Sequence, residues 1–276
     1  MVGTLILCAS PIGNLADAPP RLAEGLASAS VIYAEDTRRA RTLLRHLGVD
    51  RPVRSFFVGN EKERAVEMGT RLSNGDTVAL LTDAGTPSVA DPGVAAVRAA
   101  VEANAIVTGV PGPSAVTLAI ALSGESGDRF VFEGFLPRKG GIRAKRIEAI
   151  GSEERTIVLF CAPSRLAADL TDLAARVGDR ICVVCREMTK LHEEVWRGTI
   201  TDAAEHWSQR AVKGEVTVVI AGGTVVEPSL DAAIETAVNA IENGERPSAA
   251  VRRVSKETGV SRRSLYEAVI DRRGVG

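Results

Sequence analysis

The sequence predicts an α/β architecture: an N-terminal domain on a mostly parallel sheet, a second domain on a mixed sheet, and a small helical appendage at the C-terminus. Short apolar runs alternate with stretches in which apolar residues return every three or four positions, the pattern of strands alternating with helices. Several runs stop at Gly/Pro turns that feed a helix directly. The 276 residues, 45% hydrophobic and 25% charged, suffice for two modest cores, and with aromatics at only 4% those cores must be built from Ala, Val, Leu and Ile.

Thr4 to Ala9 reads as the first strand; no basic segment precedes it, so it is not read as a signal peptide. Ser10 to Asn14 is a sharp loop, and Pro19-Pro20 open a helix through about Ser28. Val31 to Glu35 is a second strand. In the helix Thr37 to His46 the residues Ala40, Leu43, Leu44 and Leu47 keep helical spacing, and Gly48 stops it. Val53 to Phe57 is a short strand, and Asn60 is placed to cap a charged helix through Leu72. A strand at Thr77 to Leu81, a helix from Gly93 to Ala103, a strand at Ile106 to Val110 and an apolar helix capped by Ser114 and running to Leu122 complete the first domain, 1–123.

The Gly-flanked polar turn Gly124 to Asp128 is the expected boundary. The second domain, 124–224, reads as a strand at Phe130 to Leu136, a basic loop, a helix from Arg143, a strand at Thr156 to Cys161 and a helix from Arg165 to Arg176. Arg180 to Cys185 and Glu193 to Ile200 follow as strands with a short connection, which makes the sheet mixed. A helix from Asp202 and a strand at Glu215 to Ala221 end it. Beyond a linker at 222–229, the appendage, 230–276, holds helices at Leu230 to Asn243, Pro247 to Thr258 and Arg262 to Ile270, the last two with helix-turn-helix spacing.

Two strand-to-helix elbows draw attention. In Leu80 to Gly93, LLTDAGTPSVADPG, Gly85 and Gly93 allow close backbone approach, Pro87 and Pro92 stiffen the loop, and Asp83 and Asp91 add acceptors. Val110 to Ser114, VPGPS, is the second. At the carboxyl edge of an open sheet such loops form ligand cradles, or they are only sharp connections. Glu35-Asp36-Thr37-Arg38, at another strand end, either faces a ligand or caps a helix with carboxylates that its dipole favours.

Composition excludes other classes. A net charge of −1 gives no overall basic field, and no apolar run approaches the roughly 20 residues of a membrane span, so a soluble, cytoplasmic protein is expected. The loop at Ser10 to Asn14 lacks the glycines of a dinucleotide fingerprint. Cys8, Cys161, Cys182 and Cys185 lie in apolar strands and are read as buried thiols; His46, His192 and His206 are too far apart to imply a ligand set, so no metal is expected. Arg186, Glu187 and Lys190 in CREMTK read as a solvated turn.

Charge is nevertheless segregated. Arg138, Lys139, Arg143, Lys145 and Arg146 place five cations in nine residues, and Arg252 to Arg273 carries seven basic residues against three acidic. These are solubilising faces or the footprint of a phosphate-backbone binder.

The stretches SPIGNLAD (10 to 17), AEDTRRARTLL (34 to 44), LLTDAGTPSVADPG, VPGPSAV (110 to 116), FEGFLPRKG (132 to 140), CREMTKLHEEVWRG (185 to 198) and KGEVTVVIAG (213 to 222) give the chain its resemblance. It resembles the tetrapyrrole methylase superfamily of S-adenosylmethionine-dependent methyltransferases, and within it the branch that methylates the ribose 2′-hydroxyl of a decoding-centre cytidine in 16S ribosomal RNA. The resemblance implies two α/β domains with S-adenosyl-L-methionine in the cleft between them, a homodimer, and 16S ribosomal RNA or the 30S subunit as partner.

Carried over by position, the cofactor loops would be Pro11, Ile12 and Gly13, then Asp83, Gly85, Thr86 and Val89, then Pro113, Ser114 and Ala115, with Ala162 and Val216 closing from the second domain. Asp36, with Glu35 and Arg38 beside it, is the expected catalytic group, and the basic loop Arg138 to Arg146 the expected RNA grip. Relatives often carry histidines where this chain has FFVGNE (56 to 61), and Glu and His where it has Cys161 and Ser164, so roles of those side chains do not transfer. Two other readings compete: a porphyrinoid C-methyltransferase, which gives no reason for the basic stretches, and a nucleic-acid-binding regulator working through the C-terminal helices.

Overall fold

The computed structural model describes residues 2–223 and 229–273. The chain divides into two compact units, Met1–Gly223 and Thr224–Gly276; most of the expected linker, 224–228, lies outside the described residues.

Two five-stranded sheets form the first unit. In the first, β1 (Thr4–Cys8), β2 (Val31–Ala34), β3 (Val53–Ser55), β4 (Thr77–Leu81) and β5 (Ile106–Val110) are all parallel, in the order β3-β2-β4-β1-β5. After β1 the chain goes to β2, on one side of the β1/β4 pair; after β4 it goes to β5, on the other. The loops leaving β1 and β4 therefore part at a topological switch point, the place where an open parallel sheet has a crevice.

The intervening helices pack on opposite faces, as that reversal requires. Helix α1 (Pro20–Ser28) buries Leu22 and Leu26, and α2 (Thr37–His46) buries Ala40, Leu43 and Leu44, against Ile6, Ile32, Ala79 and Leu81. On the other face α3 (Glu61–Ser73) and α4 (Val94–Glu102) bury Met68, Leu72, Ala96 and Ala100 against Leu5, Tyr33, Val78 and Leu80. Alternate residues of each central strand thus serve the two cores, which is why β2 and β4 read as continuous apolar runs.

In the second sheet β6 (Phe130–Phe135), β7 (Thr156–Cys161), β8 (Ile181–Arg186), β9 (Glu194–Thr199) and β10 (Val216–Ile220) lie in the order β6-β7-β10-β8-β9. Only β6 and β7 pair in parallel, and a bulge falls between Phe132 and Phe135. One face packs α6 (Gly140–Gly151), α7 (Leu166–Val177) and α8 (Ile200–Ser208). The other receives α5 (Ala115–Ser123), whose Val116, Ala119 and Ile120 meet Val158, Val183, Cys185 and Val219. That seam, which also includes Ile12 and Met188, joins the two sheets.

Several element starts differ from expectation. Helix α6 begins at Gly140, so the basic loop is largely its first turns. Helix α8 begins at Ile200, because Thr199 and Asp202 form a capping box in which each side chain accepts from the other's backbone N–H. Asn60 sits at the N-cap of α3 without capping it; its carboxamide accepts from the Phe57 N–H and donates to Ser55. Ser114 likewise caps by position only.

All four cysteines are buried and free. Burial pushes the Cys8 and Cys182 thiols up to about 12 and the Cys185 thiol to about 11, so they are unreactive packing groups. In the second unit α9 (Leu230–Glu242), α10 (Pro247–Thr258) and α11 (Arg262–Arg273) enclose a core of Ile234, Ile241, Val251, Val254, Leu265 and Val269. Gly259, at φ +74°, makes the left-handed turn after α10.

Candidate functional site

The loops that leave β1 and β4 are fastened to each other. Ser10 N–H donates to the Gly85 carbonyl at 2.9 Å and Gly85 N–H to the Ser10 carbonyl at 3.1 Å, while the Ser10 hydroxyl donates to the Thr82 carbonyl at 3.0 Å. The β4 loop is held in an uncommon shape: Ser88 and Ala90, neither a glycine, have φ of +71° and +60°. Such left-handed residues cost free energy and persist only where their surroundings impose them, as at binding sites. At Gly93 an added Cβ would lie 2.5 Å from the Ser88 Oγ, so no side chain fits there. The Glu61 carboxylate accepts from the Gly93 and Ala95 N–H groups, both at 3.3 Å, and caps α4 from outside.

Two adjoining cavities open at this edge, of about 360 and 400 Å³. Pro11, Ile12, Gly13 and Asp83 line the first. Ile12, Gly85, Thr86, Val89, Ser114, Ala115, Ala162 and Val216 line the second, with Asp91, Phe135 and Phe160. The geometry thus gathers the expected cofactor loops from both sheets round one cleft; Pro113 lines neither cavity.

Carboxylates dominate the charge of the cleft. Asp83 accepts from the Asp36 N–H at 3.0 Å and faces Arg39 at 3.4 Å. Lys190 bridges Glu187 at 2.8 Å and Glu215 at 3.0 Å. Glu35 and Asp91 are half-buried and have no ion-pair partner among the described residues. Burial first, then the charges of Glu35, Asp83 and Glu215, push the Asp91 carboxyl up to about 6. Glu35 is raised likewise, by burial and then by Asp83, against the opposing pull of Arg39. Asp91, a carboxyl without an ion pair among the described residues that lines the second cavity beside its apolar walls, suits a ligand that is cationic at one end and apolar at the other. The sulfonium and adenine of S-adenosylmethionine have that character, so the residues present fit this cofactor.

Asp36 does not behave as the sequence suggests. Its carboxylate caps α2, accepting from the Arg38 N–H at 2.8 Å, and holds the Arg38 guanidinium at 2.9 Å. These bonds lower it to about 2, too weakly basic to take a proton near neutrality. Asp36 and Arg38 thus form a cap and its partner at the start of α2.

Arg143 is a second correction. Only 9% of its side chain is exposed; it binds Asp169 at 2.9 Å and Asp172 at 2.5 Å and donates to the Pro137 carbonyl at 3.0 Å. It ties α6 to α7 and is not available to RNA. Arg146 pairs with Glu133 across to β6. Arg138, Lys139 and Lys145 are exposed with no ion pair among the described residues. Sequence reasoning missed Lys190 and Glu215 as site residues. The sequence shows only the charge cluster of CREMTK, which reads as a solvated turn; the structure shows that this turn carries Glu187 and Thr189 at φ +53° and +67°, and that Gly13, with no side chain, leaves room for Lys190 Cγ 2.5 Å from where a Cβ would stand.

The profile of the Tetrapyrrole (Corrin/Porphyrin) Methylases matches residues 4–204. The solved structure of diphthine synthase superposes with a TM-score of 0.62 at 17% identity, over 79% of this chain and 90% of that one. Uroporphyrin-III-C-methyltransferase from Thermus thermophilus does so with a TM-score of 0.56 at 16% identity, over 79% and 94%. The fold and the cleft define the class: a methyltransferase, with S-adenosylmethionine as its methyl donor.

The chain belongs to the tetrapyrrole methylase family. It is 41% identical over 274 residues to a Synechocystis protein named ribosomal RNA small subunit methyltransferase I, covering 98% of each chain. Proteins of the same name from Mycobacterium tuberculosis, strain H37Rv, and Thermotoga maritima are each 42% identical, over 275 and 221 residues. The Thermotoga protein is covered to 99% by only 80% of this chain.

Proposed function

We propose that the protein transfers a methyl group to the ribose 2′-hydroxyl of a decoding-centre cytidine in 16S ribosomal RNA, presented on the 30S subunit. The observation that carries the reading is the charge division of the cleft: Asp91 and Glu215 line its cofactor side, and Arg138, in the loop after β6 and without an ion pair among the described residues, lines the adjoining cavity, with the exposed Lys139 next to it in the chain. The relatives named for ribosomal RNA small subunit methylation support the same substrate class. S-Adenosylmethionine supplies an electrophilic methyl on its sulfonium.

The chain's own residues do the rest. The fastened loops at Ser10–Gly85 hold Ile12, Thr86 and Val89 at the cavity wall before ligand arrives, so positioning supplies much of the rate. A ribose hydroxyl is a poor nucleophile, and Glu35, half-buried and raised towards neutrality by burial and Asp83, is the group beside Asp36 suited to accept its proton. Glu35→Gln is expected to lower kcat far more than Asp36→Asn. Equal losses in the two variants would remove Glu35 from that role.

The homodimer belongs to the same proposal. Strand β5 is the edge of the first sheet, with Ile106 55% and Val107 37% exposed, an unprotected edge suited to a second copy. Sedimentation of the protein and of Ile106→Lys tests it: a dimer that the lysine dissociates is expected.

The substrate is tested by incubating the protein with methyl-labelled S-adenosylmethionine and either small subunits from cells lacking the gene or a reduced tetrapyrrole. Label in the RNA alone is expected; label in the tetrapyrrole would overturn the assignment.

A further inference from the structure

A third cavity, of about 520 Å³, lies beside the cofactor cleft and shares Phe135 and Ala162 with it. Its other walls include Arg138, Ser164 and Arg165. Phe135 is the last residue of β6 and, at 57% exposure, an exposed aromatic in a chain with few aromatics. Its ring is backed by Phe160 at a centroid distance of 5.6 Å, and Phe160 is held in turn by Phe132 at 4.8 Å. An aromatic braced from behind and open to a cavity is a stacking platform.

The cations in and beside this cavity are unequal. Arg143 is saturated by Asp169 and Asp172, as described above. Arg165 gives one guanidinium nitrogen to Asp169 at 3.2 Å, while its buried Nε has no partner among the described residues. Arg138, across the cavity, has no ion pair among the described residues either. Arg143 and Asp172 do not line the cavity; among its lining residues the two arginines Arg138 and Arg165 meet the single aspartate Asp169, and a phosphate would complete the balance. The Arg165 side chain is 30% exposed, so its terminal guanidinium nitrogens, rather than the buried Nε, are the donors open to a phosphate oxygen.

We propose that this cavity is the subsite for the target nucleotide: its base stacks on Phe135, and the flanking phosphates are held by Arg138 and Arg165. Because Phe135 lines both cavities, a nucleotide stacked there carries its ribose towards the cofactor cleft. Bases splayed from a single strand are recognised in this way, by stacking with adjacent cationic grip on the backbone. The inference rests on the ribosomal RNA reading above.

The experiment compares wild type, Phe135→Ala, Phe135→Trp and Arg165→Gln for methyl transfer to small subunits lacking the modification, with calorimetry of S-adenosylhomocysteine as a readout of the cofactor cleft. Loss of a stacked base corresponds to about tenfold or more in kcat/KM. Phe135→Ala is expected to show that loss with unchanged S-adenosylhomocysteine affinity, Phe135→Trp to recover most activity, and Arg165→Gln to raise KM and flatten the salt dependence. Since Phe135 is exposed, its replacement leaves the core intact, and retained S-adenosylhomocysteine binding verifies the fold. Wild-type kinetics in Phe135→Ala would overturn the subsite alone; a wild-type protein that binds S-adenosylhomocysteine but does not methylate subunits would overturn the RNA reading, and the subsite with it.

Discussion

The two walls of the cleft are built from the same kind of element and do opposite jobs. On the first-sheet side, loops after parallel strands are locked by backbone bonds, left-handed residues and glycines, and they carry the carboxyls Glu35, Asp83 and Asp91. On the second-sheet side, the strand end at Phe135 and the helix starts that follow carry aromatic rings and arginines. The first wall is shaped for one small cationic ligand. In the proposed reading the second wall presents charge for a polyanion. A net charge of −1 summed over the whole chain does not reveal this division.

The comparison can be broken most severely at the first wall. Gly93→Val forces a Cβ to within 2.5 Å of the Ser88 Oγ and 3.0 Å of the Ser88 backbone nitrogen, at φ +153°. Loss of measurable S-adenosylhomocysteine binding by calorimetry is expected, and ordinary affinity would show that the loop shape does not matter.

On the second wall, Arg143 and the pair Arg138/Lys139 separate structure from recognition. Arg143→Gln strips a buried guanidinium from Asp169, whose side chain is 5% exposed, and is expected to cost about 3 kcal/mol or more in denaturant unfolding. Arg138→Ala/Lys139→Ala is expected to leave unfolding unchanged and to weaken subunit binding with a shallower salt slope.

Asp91 gives a smaller effect with a defined sign. Its carboxyl ionises near 6 when folded and at ordinary carboxylate pH when unfolded, so between those values the folded chain holds the extra proton and loses stability as pH rises. Asp91→Asn is therefore expected to raise the Tm of the cofactor-free protein at about pH 7.5 and hardly at about pH 4. The same change is expected to weaken S-adenosylmethionine, which keeps a sulfonium charge, more than S-adenosylhomocysteine, which lacks it.

The smallest effect is expected from removing 224–276. That unit has its own core, and the Thermotoga relative matches only 80% of this chain while being covered to 99%. Truncation is expected to leave S-adenosylhomocysteine affinity unchanged.

Much of the fold was legible because it depends on local pattern. Helix α2 keeps the predicted bounds, since Ala40, Leu43 and Leu44 share a face and Asp36 caps it; β4 and β7 do so as continuous apolar runs. Strand order was not legible, because the pairing of β4 between β1 and β2 depends on contacts far apart in sequence. In the site, the glycine and proline loops announced themselves, while the fate of individual charges did not. Arg143 looks like a free charge in sequence, and only its neighbours Asp169 and Asp172 reveal that it is spent on structure, while the two readings open for Asp36 are told apart by its bonds to Arg38. Lys190 is the reverse case, a turn residue that folding brings to Glu215, 25 positions away.

The central claim is that the acidic wall holds the cofactor and the cationic wall brings it a ribosomal ribose. Nucleoside mass spectrometry of 16S ribosomal RNA from cells lacking the gene, before and after incubation of their 30S subunits with the purified protein and S-adenosylmethionine, tests it most directly. The account predicts that one 2′-O-methylated cytidine is absent beforehand and restored afterwards. An RNA already complete without the gene, or a methyl group appearing on a base, would contradict it.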